Sequence, residues 1–152
     1  MIRNEAEYKA TVRRVQEQAE RLNQQTAELK STGLTKEQIK RVTDPVRSFH
    51  EQLKEELESY ERLKRGEFDE LQNLSGFGEL LVAVRIAKGV TQRDLAKRLG
   101  VSESQVSRDE RNEYHGITID RANRILEALD VEVTTEVSSL GRARPKLARS
   151  AS

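Results

Sequence analysis

The residues whose types and spacing suit recognition chemistry stand close together in this chain. They are Thr91, Arg93 and Lys97, then Glu103, Ser104, Gln105 and Arg108, then Arg111 and Asn112. Each side chain of the middle group has a defined hydrogen-bonding partner on a base edge. Glutamine pairs bidentately with adenine and arginine with guanine; glutamate accepts from cytosine, and serine tolerates either. Plainer uses exist for the same groups. Glu103 can simply complement a helix dipole, and Arg108 can touch a phosphate instead of a base. Thr91, Arg93, Lys97, Arg111 and Asn112 suit phosphate contacts, which orient a protein on a duplex without specifying its sequence.

Such groups read bases only if a helix presents them. From Val90 to Arg108 the chain reads as a short helix, a turn centred on Gly100, and a second short helix that opens with Ser102 as its cap. A bihelical unit of this kind lays its second helix in the major groove. Gly100 stands where the chain must turn with positive φ, and Ala96 is small where the two helices must cross closely. Leu81, Val84, Val90, Leu95, Ala96, Leu99, Val101, Val106, Ile119, Ala122, Ile125, Leu126 and Leu129 recur at helical spacing and form the expected core of a small bundle.

On these residues, the stretch from Phe77 to Val131 resembles the Cro/repressor-type helix-turn-helix family, also called the xenobiotic-response-element family. The resemblance covers about a third of the chain. It implies a lambda-repressor-like bundle with helices near 76–88, 92–99, 102–112 and 118–129, the second and third forming the DNA-binding unit. It implies that Gln92 hydrogen-bonds a DNA phosphate and braces the recognition helix. It implies a partly buried ion pair between Arg85 and Glu110. Two departures stand out: Asp109 occupies a position usually apolar or aromatic, and Arg111 to Gly116 replace a shorter glycine turn. Tyr114 and His115 in that loop can touch phosphates, pack, or lie in solvent.

The rest of the chain is helical by pattern. Tyr8, Val12, Val15, Ala19, Leu22, Thr26 and Leu29 form a seam of alternating fours and threes, closed by Ser31, Thr32 and Gly33. Thr35 to Gln38 has capping-box spacing. Ile39, Val42, Val46, Phe49, Leu53, Tyr60 and Leu63 continue a seam that Glu56 interrupts. Asp44-Pro45 either starts a long helix, with Asp44 as its cap and Pro45 at its first position, or kinks one; the favoured reading is a short turn of helix followed by a long one from Pro45 to about Arg65. The two seams are expected to pair as a hairpin, or against a second copy, since each alone is too thin. Residues 66–75 read as a linker anchored by Leu71 and Leu74. Residues 131–137 alternate with period two and predict a short strand, which a second subunit can partner. Residues 138–152, with Arg142, Arg144, Lys146 and Arg149, predict a disordered basic tail that either solubilises the chain or adds salt-dependent phosphate contacts. The expected layout is therefore all-α: a helical hairpin or coiled coil at 1–65, a linker at 66–75, a helix-turn-helix bundle with a short C-terminal strand at 76–137, and the tail.

Composition narrows the function classes. Lys and Arg number 27 against 26 Asp and Glu, so local placement rather than net charge must favour nucleic acid. There is no cysteine, and the two histidines, His50 and His115, lie in separate segments without metal-ligand spacing. No phosphate loop or dinucleotide fingerprint is present. No enzyme, metal or cofactor is expected. Nor does the sequence hold an apolar run of membrane-spanning length or a signal peptide, so a cytoplasmic, nucleoid-associated protein is expected. The favoured reading is a homodimeric, sequence-specific regulator or repressor that binds an inverted repeat in double-stranded DNA through 102–112. A second reading starts from Asn4-Glu5-Ala6-Glu7-Tyr8, which resembles the Asn-Glu-x-x-Tyr start of some HigA-like antitoxins. It implies that the N-terminal half grips a toxin protein while the C-terminal half autoregulates transcription.

Overall fold

The computed structural model describes residues 1–139, which fold into six helices. Helix α1 (Glu5–Ser31) and helix α2 (Lys36–Lys64) form an antiparallel hairpin. The bundle comprises α3 (Phe77–Ala87), α4 (Gln92–Leu99), α5 (Glu103–Arg111) and α6 (Ile119–Leu129). Local chemistry starts most of these helices. Asn4 accepts a hydrogen bond from Glu7 N at 2.9 Å, and the Glu7 carboxylate accepts in return from the backbone of Arg3 at 2.9 Å. Thr35 and Gln38 form a reciprocal capping box, and Thr91, Ser102 and Thr118 cap α4, α5 and α6 through their hydroxyls.

The hairpin differs from expectation in two ways. First, α2 runs unbroken through Pro45. Proline removes one ladder hydrogen bond and crowds the preceding turn, at about 3 kcal/mol. Breaking the helix there would take buried Ile39 and Thr43 out of register with Leu53 and Tyr60 on the same face. Ahead of the proline, the Thr43 hydroxyl donates back to the Ile39 carbonyl at 2.9 Å.

Second, the inner row of α2 is Ile39, Thr43, Val46, His50, Leu53, Leu57 and Tyr60, all buried or half-buried. Val42 and Phe49, expected in the seam, are 48% and 41% exposed. The physical reason lies one turn on. A row through Val42 and Phe49 next reaches Glu56 and would bury an unpaired carboxylate. The row through Thr43 and His50 reaches Leu57 instead. In α1 the seam from Tyr8 to Leu29 is only half-buried throughout, and Thr11 is the residue that is buried.

From Leu81 to Ile86 helix α3 is buried on every side, each residue below a tenth exposed, while Glu79 in its first turn is exposed. A helix apolar all round needs cover all round. Helices α5 and α6 supply part of it and α2 supplies another part. Ile2, 3% exposed, and Tyr60, 5%, join Leu81, Leu95, Val106 and Ile125 in one core. Tyr8 stacks on Tyr60 with centroids 5.2 Å apart, and its hydroxyl donates to Glu61 at 2.6 Å. The root of the hairpin is thus packed into the bundle.

Three smaller corrections follow. Ile119, expected in the core, is 75% exposed, because the buried face of α6 is Ala122, Ile125, Leu126 and Leu129, and the first helical position points away from it. In the connector Leu71 is half-buried, but Leu74 is 56% exposed. Residues 131–139 adopt no strand. The alternation there has nothing to pair with, since a ladder needs a second strand and none exists among the described residues. The expected basic tail lies, beyond residue 139, outside the described residues.

Candidate nucleic-acid interface

Helix α5 is held from beneath and open above. Val106 is 2% exposed and Glu110 is fully buried. Glu103, Ser104, Arg108 and Arg111 are exposed, and Gln105 and Ser107 are half-buried. Four consecutive features set its angle to α4. Ala96 is 2% exposed at the crossing. Gly100 has φ of +69°, the Val101 amide closes on the Ala96 carbonyl at 3.0 Å, and Ser102 Oγ accepts from the Gln105 amide at 3.2 Å. A side chain at Gly100 would have to adopt the left-handed region that residues other than glycine disfavour.

Glu110 is the anchor of the helix. Its carboxylate accepts from Arg85 Nε and from Arg85 Nη2, the latter at 2.6 Å, and from Gln92 Nε2 at 2.8 Å. Arg85, itself 3% exposed, also donates from Nη1 to the Val90 carbonyl and from Nη2 to the Arg3 carbonyl, both at 2.8 Å. Four of the five guanidinium N–H groups are therefore used. Two buried charges tolerate this low-polarity site because they are paired and further hydrogen-bonded. Gln92 spends one amide hydrogen on Glu110 and has a second to offer. It bridges the start of α4 to the end of α5.

The remaining sequence candidates fall as follows. Thr91 is exposed, and its hydroxyl is engaged with Asp94: it donates to Oδ2 at 2.6 Å and accepts from the Asp94 amide at 3.0 Å. That hydroxyl holds the Asp94 carboxyl below the ordinary carboxylate range. Arg93 and Lys97 are exposed on α4 without an ion-pair partner among the described residues. Arg98 is not free in this sense, since Nη1 caps the C-terminus of α6 through the Ala128 carbonyl at 2.8 Å. Ser104 lies 3.0 Å from the Ser102 hydroxyl, and Arg108 Nε donates weakly to the Ser104 carbonyl at 3.3 Å. Arg111 and Asn112, the last residue of α5 and its cap, are exposed. Arg93, Lys97, Arg108 and Arg111 outnumber Asp94 and Glu103, which leaves the open side of the α4–α5 unit locally basic.

The unusual end of α5 has its own logic. Asp109 is paired with Arg121 of α6, which explains a carboxylate where the family favours an apolar side chain. Tyr114, 6% exposed, plugs the bundle beneath the loop. Glu113 and Tyr114 both have φ of +51°. Their backbone presses on α3 so closely that a Cβ at Gly78 would lie 1.8 Å from the Glu113 carbonyl oxygen. Burial, followed by the nearby Glu110 charge, pushes the Tyr114 phenol well above its usual value. His115 is exposed. Sequence reasoning missed Gly78, Arg121 and the contribution of Ile2 and Arg3. Only the Asp109 anomaly signalled one of them.

Among the described residues no helix is long and apolar enough to cross a membrane. The family described as Helix-turn-helix matches residues 81–135. Comparison with curated proteins and with solved structures gave no match. The matched span runs from the middle of α3 past the end of α6 and contains both helices of the bihelical unit. Residues 81–135 thus form a Cro/repressor-type helix-turn-helix domain of the xenobiotic-response-element family, that of a DNA-binding transcription regulator.

Proposed function

We propose that the chain acts as a dimer that reads an inverted repeat in double-stranded DNA, with α5 as recognition helix. Glu103, Ser104, Gln105 and Arg108 face base edges, and Thr91, Gln92, Arg93, Lys97, Arg111 and Asn112 contact the backbone. The observation that carries this reading is the two-sidedness of α5. One side is immobilised through Val106 and Glu110, and the other presents Glu103, Ser104 and Arg108 to solvent. A helix held this way can be docked rigidly in a groove, and rigid docking is what base discrimination requires. Two such helices on one DNA face lie about one helical turn, or roughly 34–36 Å, apart. Footprinting on a duplex enriched from a randomised pool tests this. Two protected half-sites with that spacing support it; a single unrepeated site contradicts the dimer.

A second reading takes the hairpin as the grip for a toxin-type protein, with the bundle autoregulating its own operon. Val42 and Phe49, exposed on α2, favour a partner of some kind for the hairpin. Co-expression with the product of a neighbouring small reading frame, followed by co-purification, tests it. Failure of the two chains to associate counts against this reading.

A further inference from the structure

Ile2 and Arg3 lie far from α5 in sequence and are absent from the helix-turn-helix match, yet they touch its support. The Ile2 side chain is 3% exposed within the core that also holds Val106 of α5. The Arg3 carbonyl accepts from Arg85 Nη2 at 2.8 Å, and the same nitrogen donates to Glu110 at 2.6 Å. One nitrogen therefore faces the hairpin with one hydrogen and the recognition helix with the other.

The segment is not a loose end laid on the surface. Its amide is tied to Glu7 in the first turn of α1. Glu5 accepts from Tyr60 at 3.4 Å and from Lys64 at 3.3 Å, both on α2. Tyr8 stacks on Tyr60, and Tyr60 shares the core with Ile2. The start of α1 cannot move away from α2 without drawing Ile2 and Arg3 with it.

We infer that Ile2 and Arg3 are positioning residues for DNA recognition: they fix the Arg85 guanidinium, through which the hairpin sets the pose of Glu110 and hence of α5. Withdrawing the segment removes a part-buried acceptor from Arg85, which then shares its hydrogens differently between Glu110 and Val90. A shift at Glu110 moves the helix that carries Arg108 and Gln105. Base reading depends on that pose more steeply than phosphate contact does, because bidentate pairs are directional and phosphate attraction is not. The hairpin is thereby a handle: a partner that engages α1 and displaces its first residues loosens operator binding from a distance. The inference rests on the reading of α5 as a base-reading helix.

The test uses the full chain carrying Ile2→Ala, with Ile2→Leu as the conservative variant. Duplex enriched from a randomised pool by the wild-type protein and unselected random duplex are titrated with each. Below the unfolding transition, Ile2→Ala is expected to lower the ratio of the two affinities about tenfold, with random-duplex affinity nearly unchanged. Ile2→Leu should keep the wild-type ratio. The Arg85 Nε–Hε resonance should move in Ile2→Ala and stay in Ile2→Leu. A merely stabilising role for Ile2 would leave both the ratio and the resonance at their wild-type values in the folded protein, and that result overturns the inference. Should Ile2→Ala not fold, Ile2→Val takes its place with a smaller change in the same direction; no change in ratio or resonance overturns the inference equally. A wild-type protein that enriches no sequence overturns the base-reading assignment itself, whereas a selective wild type with an unmoved Arg85 resonance in the variant overturns only the coupling.

Discussion

The main-chain carbonyl of Arg3 accepts a hydrogen bond at 2.8 Å from Arg85, 82 positions further along the chain. Arg85 carries the contact on to Glu110, fully buried in α5. A charge pair in so small a core has an uneven energetic signature. Breaking it by removing one partner leaves the other charge buried and unpaired, at about 3–5 kcal/mol, whereas replacing both by apolar groups is close to neutral. Urea unfolding of Arg85→Met, Glu110→Leu and the double variant tests this. Each single variant should be destabilised more than the double, which still leaves the Val90 and Arg3 carbonyls and the Gln92 amide without these partners. Additive losses would show that the two residues contribute independently.

Base and phosphate contacts should separate in DNA titrations. Gln105→Ala and Arg108→Ala are each expected to cost about 1–3 kcal/mol on the preferred sequence and relax one position of the site. Lys97→Ala should weaken all sequences alike and reduce the salt slope by about one. Equal losses on preferred and random duplex for Arg108→Ala would reassign it to the phosphates.

Gly78 lies inside α3, where helix propensity alone favours alanine by about 0.5–1 kcal/mol. The close approach of the Glu113 carbonyl reverses that preference. A Cβ placed 1.8 Å from backbone oxygen cannot be accommodated without moving the loop. Gly78→Ala should therefore destabilise the bundle by at least about 1–3 kcal/mol, the ordinary cost of overpacking. Thermal unfolding decides it, and a stabilised variant would contradict the packing described.

Tyr114 gives the bundle an alkaline limit. Its phenol is raised above its unfolded value by burial and then by Glu110. A group raised on folding contributes stability that is present below its unfolded pKa, about 10, and lost as pH rises beyond it. Stability should fall from that pH upward, and Tyr114→Phe should flatten the decline. An ultraviolet titration in which all three tyrosines ionise near pH 10 in the folded protein would contradict the burial of Tyr114.

The parts legible in the sequence were those set by local rules. Thr91, Ser102 and Thr118 as caps and Gly100 as the turn placed α4, α5 and α6 to within a residue, because capping and left-handed backbone depend on near neighbours. The hairpin was legible as two helices but not in its rotation. A seam with apolar residues on two adjacent rows leaves a choice of faces, and the buried row follows from which one avoids Glu56. Pro45 was misread because the packing of a 29-residue helix outweighs one missing hydrogen bond. Ile119 has core chemistry but stands at the first position of α6, off the buried stripe. At the site, exposed residues of α5 were legible from cap and spacing. The roles of Ile2, Arg3 and Arg121 were not, since each depends on a contact between segments that no local pattern announces.

Base reading by α5 is the property on which the proposed function rests. The most direct measurement is a gel shift with the DNA upstream of the chain's own gene and with random duplex, at two salt concentrations, for the wild-type protein and Arg108→Ala. A base-reading α5 gives saturable binding to one inverted repeat, far tighter than to random duplex at both salts, with the margin narrowed in Arg108→Ala. Weak, salt-sensitive binding that is equal on both duplexes and unaffected by Arg108→Ala would contradict it.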